Sequence, residues 1–124
     1  MTIKRIIVTD DDELVREAIF DELRLAGYEA IKARSGEELL SAYRAQAFDL
    51  VLCDLFMPGK DGLQIIRELL KDFPKAKIIA MSGGGFDGTL NLLRTAQLLG
   101  AKDILPKPFK REKLLQLVER VLAE

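Results

Sequence analysis

The sequence contains no histidine. That absence removes histidine-based metal sites, serine–histidine and cysteine–histidine nucleophiles, and any role as a phosphohistidine carrier. There is a single cysteine, so no internal disulfide forms, which fits a reducing cytosol. No apolar run approaches the roughly 18 residues of a membrane span. The N-terminus, Met1-Thr2-Ile3-Lys4-Arg5-Ile6, runs straight into an apolar strand and not into a signal peptide. Net charge is −1 and no block of Lys or Arg is longer than two residues. Neither direct nucleic-acid binding nor membrane binding is therefore expected, and the expected location is cytoplasmic. At 124 residues, with 48% hydrophobic and 31% charged side chains, the chain reads as one domain, 1–124. That is enough chain to bury a core without staples.

What the chain does contain is a regular alternation. Apolar runs at Ile3 to Thr9, Leu50 to Asp54, Lys77 to Met81 and Asp103 to Leu105 read as strands, and the more polar Tyr28 to Ala33 reads as an edge strand. Between and after them come helical patterns. The first runs from about Glu13 to Ala26, after a cap at Asp11 or Asp12, with Leu14, Val15, Ala18, Ile19 and Leu23 on one face. The second has capping-box spacing at Ser35 and Glu38, with Leu39, Leu40 and Tyr43 facing in. Asp61 caps the third, which carries Leu63, Ile66, Leu69 and Leu70 and stops before Pro74. The fourth is expected over Asp87 to Leu99 and the fifth over Lys110 to Leu122, with Leu114, Leu115, Leu117, Val118 and Val121 inward. Five strands alternating with five helices predict an α/β domain, a parallel sheet covered on both faces. The doubly wound order 2-1-3-4-5 puts the polar second strand at an edge and the apolar runs in the centre.

In that order the first and third strands are neighbours, and the ends of their runs carry acids: Asp10, Asp11 and Asp12 after the first, Asp54 at the end of the third. The fourth strand is followed by the flexible loop Ser82-Gly83-Gly84-Gly85, the fifth by Lys107-Pro108. Strand C-termini at a switch point are where such sheets hold their chemistry. Carboxylates that close together repel unless a cation intervenes, and Mg²⁺ takes one or two carboxylates plus waters and a phosphate oxygen. Asp54 can act as a nucleophile and form an aspartyl phosphate, with Lys107, the Ser82 hydroxyl and N–H groups near Phe56 and Gly83 bonding the phosphoryl oxygens. Other conspicuous residues have plainer readings. Asp12 and Asp61 read as helix caps, Cys53 as core packing opposite Asp54, and Phe73, Phe86 and Phe109 as core or core edge.

Four segments, in order, resemble the receiver domain of two-component response regulators: Ile6-Ile7-Val8-Thr9-Asp10-Asp11-Asp12, Asp54-Leu55-Phe56-Met57-Pro58-Gly59-Lys60-Asp61-Gly62, Ile79-Ala80-Met81-Ser82-Gly83 and Lys107-Pro108-Phe109. The resemblance covers Ile3 to Leu122 and implies a flavodoxin-like (βα)5 fold. It implies that Asp54 accepts a phosphoryl group from a histidine kinase or histidine phosphotransfer protein and that a downstream protein effector reads the result. It implies Mg²⁺ as the cofactor, organised by Asp10 and Asp11 with Asp54 and the Phe56 backbone carbonyl. It gives Ser82 the role of the switch hydroxyl and Lys107 that of the phosphate-pairing lysine, and it makes a cis Lys107-Pro108 bond an expectation. Such a chain is a switch and not an enzyme. With the chain ending after the fifth helix, a stand-alone receiver is expected. A homodimer through helix four, strand five and helix five is among the partners such a domain can have.

Two departures bear on output. Ile104 stands where relatives carry an aromatic switch residue, and the stretch from Ser82 to Lys107 is longer and begins with three glycines. Signal transfer is therefore expected through the glycine run and the loop around Phe86. Phe56 and Gly84, neither able to orient water, predict slow autodephosphorylation. The alternatives are a phosphorelay shuttle or phosphate sink, a phosphohydrolase like the haloacid dehalogenases, and a flavin module. The hydrolase would want an acid where Phe56 stands, and the flavin module a phosphate-cradling loop where the three acids lie.

Overall fold

The computed structural model of the chain describes residues 2–57, 61–83 and 89–124, the side chains of Thr89 and Leu90 excepted. Strands and helices alternate throughout: β1 (Arg5–Thr9), α1 (Glu13–Leu25), β2 (Glu29–Ala33), α2 (Gly36–Ala45), β3 (Leu50–Asp54), α3 (Gly62–Asp72), β4 (Ile78–Ser82), α4 (Thr89–Leu99), β5 (Asp103–Pro106) and α5 (Arg111–Ala123). The five strands form one parallel sheet in the order β2-β1-β3-β4-β5. This is the flavodoxin-like doubly wound arrangement, with β2 at an edge as its polar composition requires. Pro58, Gly59, Lys60, the glycines at 84 and 85, Phe86 and the expected helix start at Asp87 lie outside the described residues.

The continuous apolar runs become central strands because each is buried on both faces. Alternation sends Ile6, Val8, Leu50, Leu52, Ile79 and Met81 into a core with Ile19 and Leu23 of α1 and Leu114, Leu117, Val118 and Val121 of α5. The intervening residues Ile7, Val51, Cys53, Ile78 and Ala80 meet α2, α3 and α4 on the other face. Caps fall where the sequence places them: Asp12 accepts from the N–H groups of Leu14 and Val15, and Asp61 from that of Gln64. Ser35 accepts from Glu38 N–H, but the Glu38 carboxylate reaches back to the Arg34 N–H, one residue before the position of a closed capping box. Gly27 takes φ +97° just after α1, a conformation that favours glycine. Among the described residues no helix is long and apolar enough to cross a membrane.

Three expectations need correction, and one buried position was unassigned. Neither Leu14 nor Ala18 joins the buried face of α1; both are exposed, Leu14 by 83%, and Arg16 is buried with Ile19 and Leu23 instead. Ile65, unassigned in the sequence, is fully buried on α3 and packs against Gly36, where a Cβ would meet its side chain at 2.2 Å. Ser82 is not a loop residue; it is the last residue of β4 and fully buried.

Candidate phosphoacceptor site

The parallel register brings the ends of β1 and β3 side by side, with Thr9 opposite Cys53, so Asp10 and Asp54 emerge at the same edge of the sheet. Carboxylate oxygens of Asp10, Asp11 and Asp54 all lie within 4.8 Å of one another. Asp10 and Asp54 are buried and Asp11 is exposed. All three line an open cleft with Asp12, Phe56, Gly83 and Lys107.

Lys107, just past β5, answers these charges. Its Nζ donates to Asp10 Oδ2 at 2.6 Å and stands 3.6 Å from Asp54 Oδ2. The lysine is held at the sheet by a bond from its own N–H to the Ser82 carbonyl at 2.7 Å, and the Lys107-Pro108 peptide is cis. A Cβ on Gly83 would come within 3.1 Å of the lysine stem, so glycine there leaves that stem room.

Asp54 Oδ1 accepts from the Phe56 N–H at 3.3 Å. Burial, and next the charge of Asp10, push the Asp54 carboxyl up from its ordinary 3.8 to about 6, against the opposing pull of Lys107 and of the Phe56 N–H. A carboxylate raised in this way is one whose ionised form lacks a sufficient partner. Oxygen-only donors crowded together suit a hard divalent cation, which supplies that partner. The neighbouring Cys53 thiol is pushed up to about 12 by burial and then by Asp54 and Asp10, so it is inert packing.

The turn after β3 is fixed by Gly62. A Cβ there would sit 2.5 Å from Leu55 Cα and 2.8 Å from the Asp54 carbonyl oxygen, so only glycine lets α3 start so close under the end of β3. Ser82 accepts from the Lys107 N–H through its carbonyl, and its buried hydroxyl has no hydrogen-bond partner among the described residues. Thr9 has a buried hydroxyl in the same condition.

One contributor was not read from the sequence. Arg16, 7% exposed, donates from its guanidinium to the Asp10 carbonyl at 2.9 Å. The available signal was its spacing from Ile19 and Leu23, i, i+3 and i+7 on one helix face.

Comparison with known proteins bears on this site as a whole. The family model for the response regulator receiver domain matches residues 6–119. The chain is 34% identical to the chemotaxis protein CheY of Thermotoga maritima, over 95% of this chain and 97% of that protein. It is 35% identical to the response regulator FleR of Pseudomonas aeruginosa, over 94% of this chain but only 24% of that protein. The receiver domain of NtrX from Brucella abortus superposes with a TM-score of 0.90 at 31% identity, covering 95% of this chain and 98% of that one.

Proposed function

Because the chain belongs to the response regulator receiver domain family, we propose that it is a Mg²⁺-dependent phosphoacceptor in which Asp54 takes a phosphoryl group from a histidine kinase or histidine phosphotransfer protein. The observation that carries this reading is Asp54 itself: 4% exposed, yet opening onto a cleft shared with three further acids and a lysine. In the transfer, an Asp54 oxygen attacks phosphorus, the bond from phosphorus to the donor's imidazole nitrogen breaks, and that nitrogen keeps the bonding pair. The product is an acyl phosphate on Asp54.

Asp10, Asp11 and Asp54, with the Phe56 backbone carbonyl, would hold the Mg²⁺. When bound, the ion offsets the charge of the acids and of the incoming phosphoryl oxygens. Lys107, already in the cleft, is placed to pair with a phosphoryl oxygen. The unpartnered Ser82 hydroxyl is a donor held ready for another. Phe56, 54% exposed, offers no acid two residues beyond the nucleophile, which argues against a phosphohydrolase.

The proposed role is that of a switch in the cytoplasm whose phosphorylated form binds a downstream protein. A relay shuttle or phosphate sink uses the same chemistry, and onward transfer to a second histidine protein distinguishes it. Protein treated with acetyl phosphate in MgCl₂ should carry a phosphoryl group that hydroxylamine releases, as it releases acyl phosphates. A hydroxylamine-resistant adduct would rule out the carboxylate as acceptor.

A further inference from the structure

Arg16 is the one basic residue among the buried polar side chains of the described residues, the others being Thr9, Asp10, Asp54 and Ser82. Burying a guanidinium costs several kcal/mol unless charge and hydrogen bonds answer it. No carboxylate of the described residues lies at ion-pair distance from Arg16; its side-chain bond is to the carbonyl of Asp10. The charge of Arg16 acts on Glu38, helping to hold that carboxyl below its ordinary value, so what Arg16 gives the end of β1 is the bond to the Asp10 carbonyl.

The bond acts on the backbone of a short segment whose side chains are held by Lys107 at Asp10 and by the helix cap at Asp12. β1 ends at Thr9, and the Asp10 N–H has only the Ala33 carbonyl, at 3.2 Å. The arginine side chain holds the segment once, its guanidinium taking the Asp10 carbonyl, while the Arg16 N–H makes the first helical bond of α1, to the Asp12 carbonyl at 2.9 Å. The Asp12 N–H in turn donates to Asp10 Oδ1 at 3.0 Å. Residues 10 to 12 are closed into a ring of bonds with Arg16 as the outer clamp, and Asp11 lies within it. The bond runs through one N–H, on Nη1, whose direction the planar guanidinium fixes more firmly than a freely rotating ammonium would.

We infer that Arg16 is a positioning residue for the divalent-cation site, its guanidinium holding the Asp10 carbonyl and with it the Asp10–Asp12 segment so that the Asp10 and Asp11 carboxylates converge on the ion. This rests on the reading of the acidic cleft as a Mg²⁺ site. Outer partners of metal ligands commonly change affinity by about ten- to a hundredfold when removed.

The test is calorimetric titration of MgCl₂ alone into unphosphorylated wild-type, Arg16→Met and Arg16→Lys proteins, with urea unfolding of each. Arg16→Met keeps the apolar stem and loses charge and fork; Arg16→Lys keeps the charge. The expected result is cooperative unfolding of both variants, about a tenfold or greater loss of Mg²⁺ affinity in Arg16→Met, and a partial recovery in Arg16→Lys. Affinity within twofold of wild type in a cooperatively folded Arg16→Met overturns the inference while leaving the cation site intact. Should Arg16→Met fail to fold, Arg16→Lys decides: a weakened affinity supports the clamp and an unchanged one overturns it. Absence of Mg²⁺ binding in the wild type would instead refute the site reading itself.

Discussion

Lys107 donates to Asp10 at 2.6 Å, across 97 positions of sequence, and so ties the exit of β5 to the exit of β1. Asp54, the nucleophile of the proposed reaction, is the more distant of its two acid neighbours, at 3.6 Å. The lysine therefore has a structural part in the unphosphorylated chain: it is the counter-charge of a fully buried carboxylate. Lys107→Met should lower stability by about 2–3 kcal/mol in EDTA, because it leaves Asp10 without its cation. Most of that loss should return in MgCl₂, because the ion takes over the same charge. Urea unfolding under both conditions measures it. An equal loss with and without Mg²⁺ would mean that the lysine acts through packing.

Asp54 gives a pH dependence with a definite sign. Its folded-state value, about 6, lies above its ordinary 3.8. Its contribution to stability is therefore whole below about pH 4 and is lost as pH rises through about 6, where the folded protein must ionise a carboxyl disfavoured by burial and by Asp10. In EDTA, wild type should lose about 1–2 kcal/mol relative to Asp54→Asn between about pH 5 and pH 8, allowing for solvent that reaches the cleft. Stability curves that stay parallel over that range would contradict the assignment.

Two buried hydroxyls, those of Thr9 and Ser82, lack partners among the described residues, and they should behave differently. Thr9→Val removes an unsatisfied polar atom at nearly constant shape and should stabilise the protein by about 1 kcal/mol. Ser82→Ala should leave resting stability within about 1 kcal/mol but shrink the amide chemical-shift response to beryllofluoride and Mg²⁺. A full response in Ser82→Ala would remove the hydroxyl from the switch.

Phe56 is half exposed at the cleft rim and has no group that can hold water in line with the Asp54–phosphorus bond. Phe56→Asn should therefore hydrolyse the acyl phosphate several-fold faster, as followed by phosphate release after removal of the donor. A rate equal to wild type would show that the rim does not limit water. The companion position, Gly84, lies outside the described residues.

Most of the fold follows from local pattern, because a strand buried on both faces and a capped amphipathic helix each leave a distinct local pattern. Leu50 to Cys53 and the caps at Asp12 and Asp61 are cases in point. The meeting of Asp10, Asp11 and Asp54 was legible for the same reason, since strand order alone makes β1 and β3 neighbours. What escaped depends on tertiary placement. Leu14 was expected on the buried face of α1, but the helix turns Arg16, unassigned in the sequence, under the Asp10 carbonyl instead. Ser82 reads as loop because glycines follow it, yet β4 extends one residue further by pairing with Pro106 of β5. The preference of Lys107 for Asp10 over Asp54 is set by side-chain reach between distant elements and has no local pattern to betray it.

The most direct measurement is the intact mass of wild type and Asp54→Asn after incubation with acetyl phosphate, each in MgCl₂ and in EDTA. Wild type in MgCl₂ should gain the mass of one phosphoryl group, and Asp54→Asn and the EDTA samples should gain none. A phosphoryl adduct that persists in Asp54→Asn, or forms fully in EDTA, would contradict the assignment of Asp54 as a Mg²⁺-dependent phosphoacceptor.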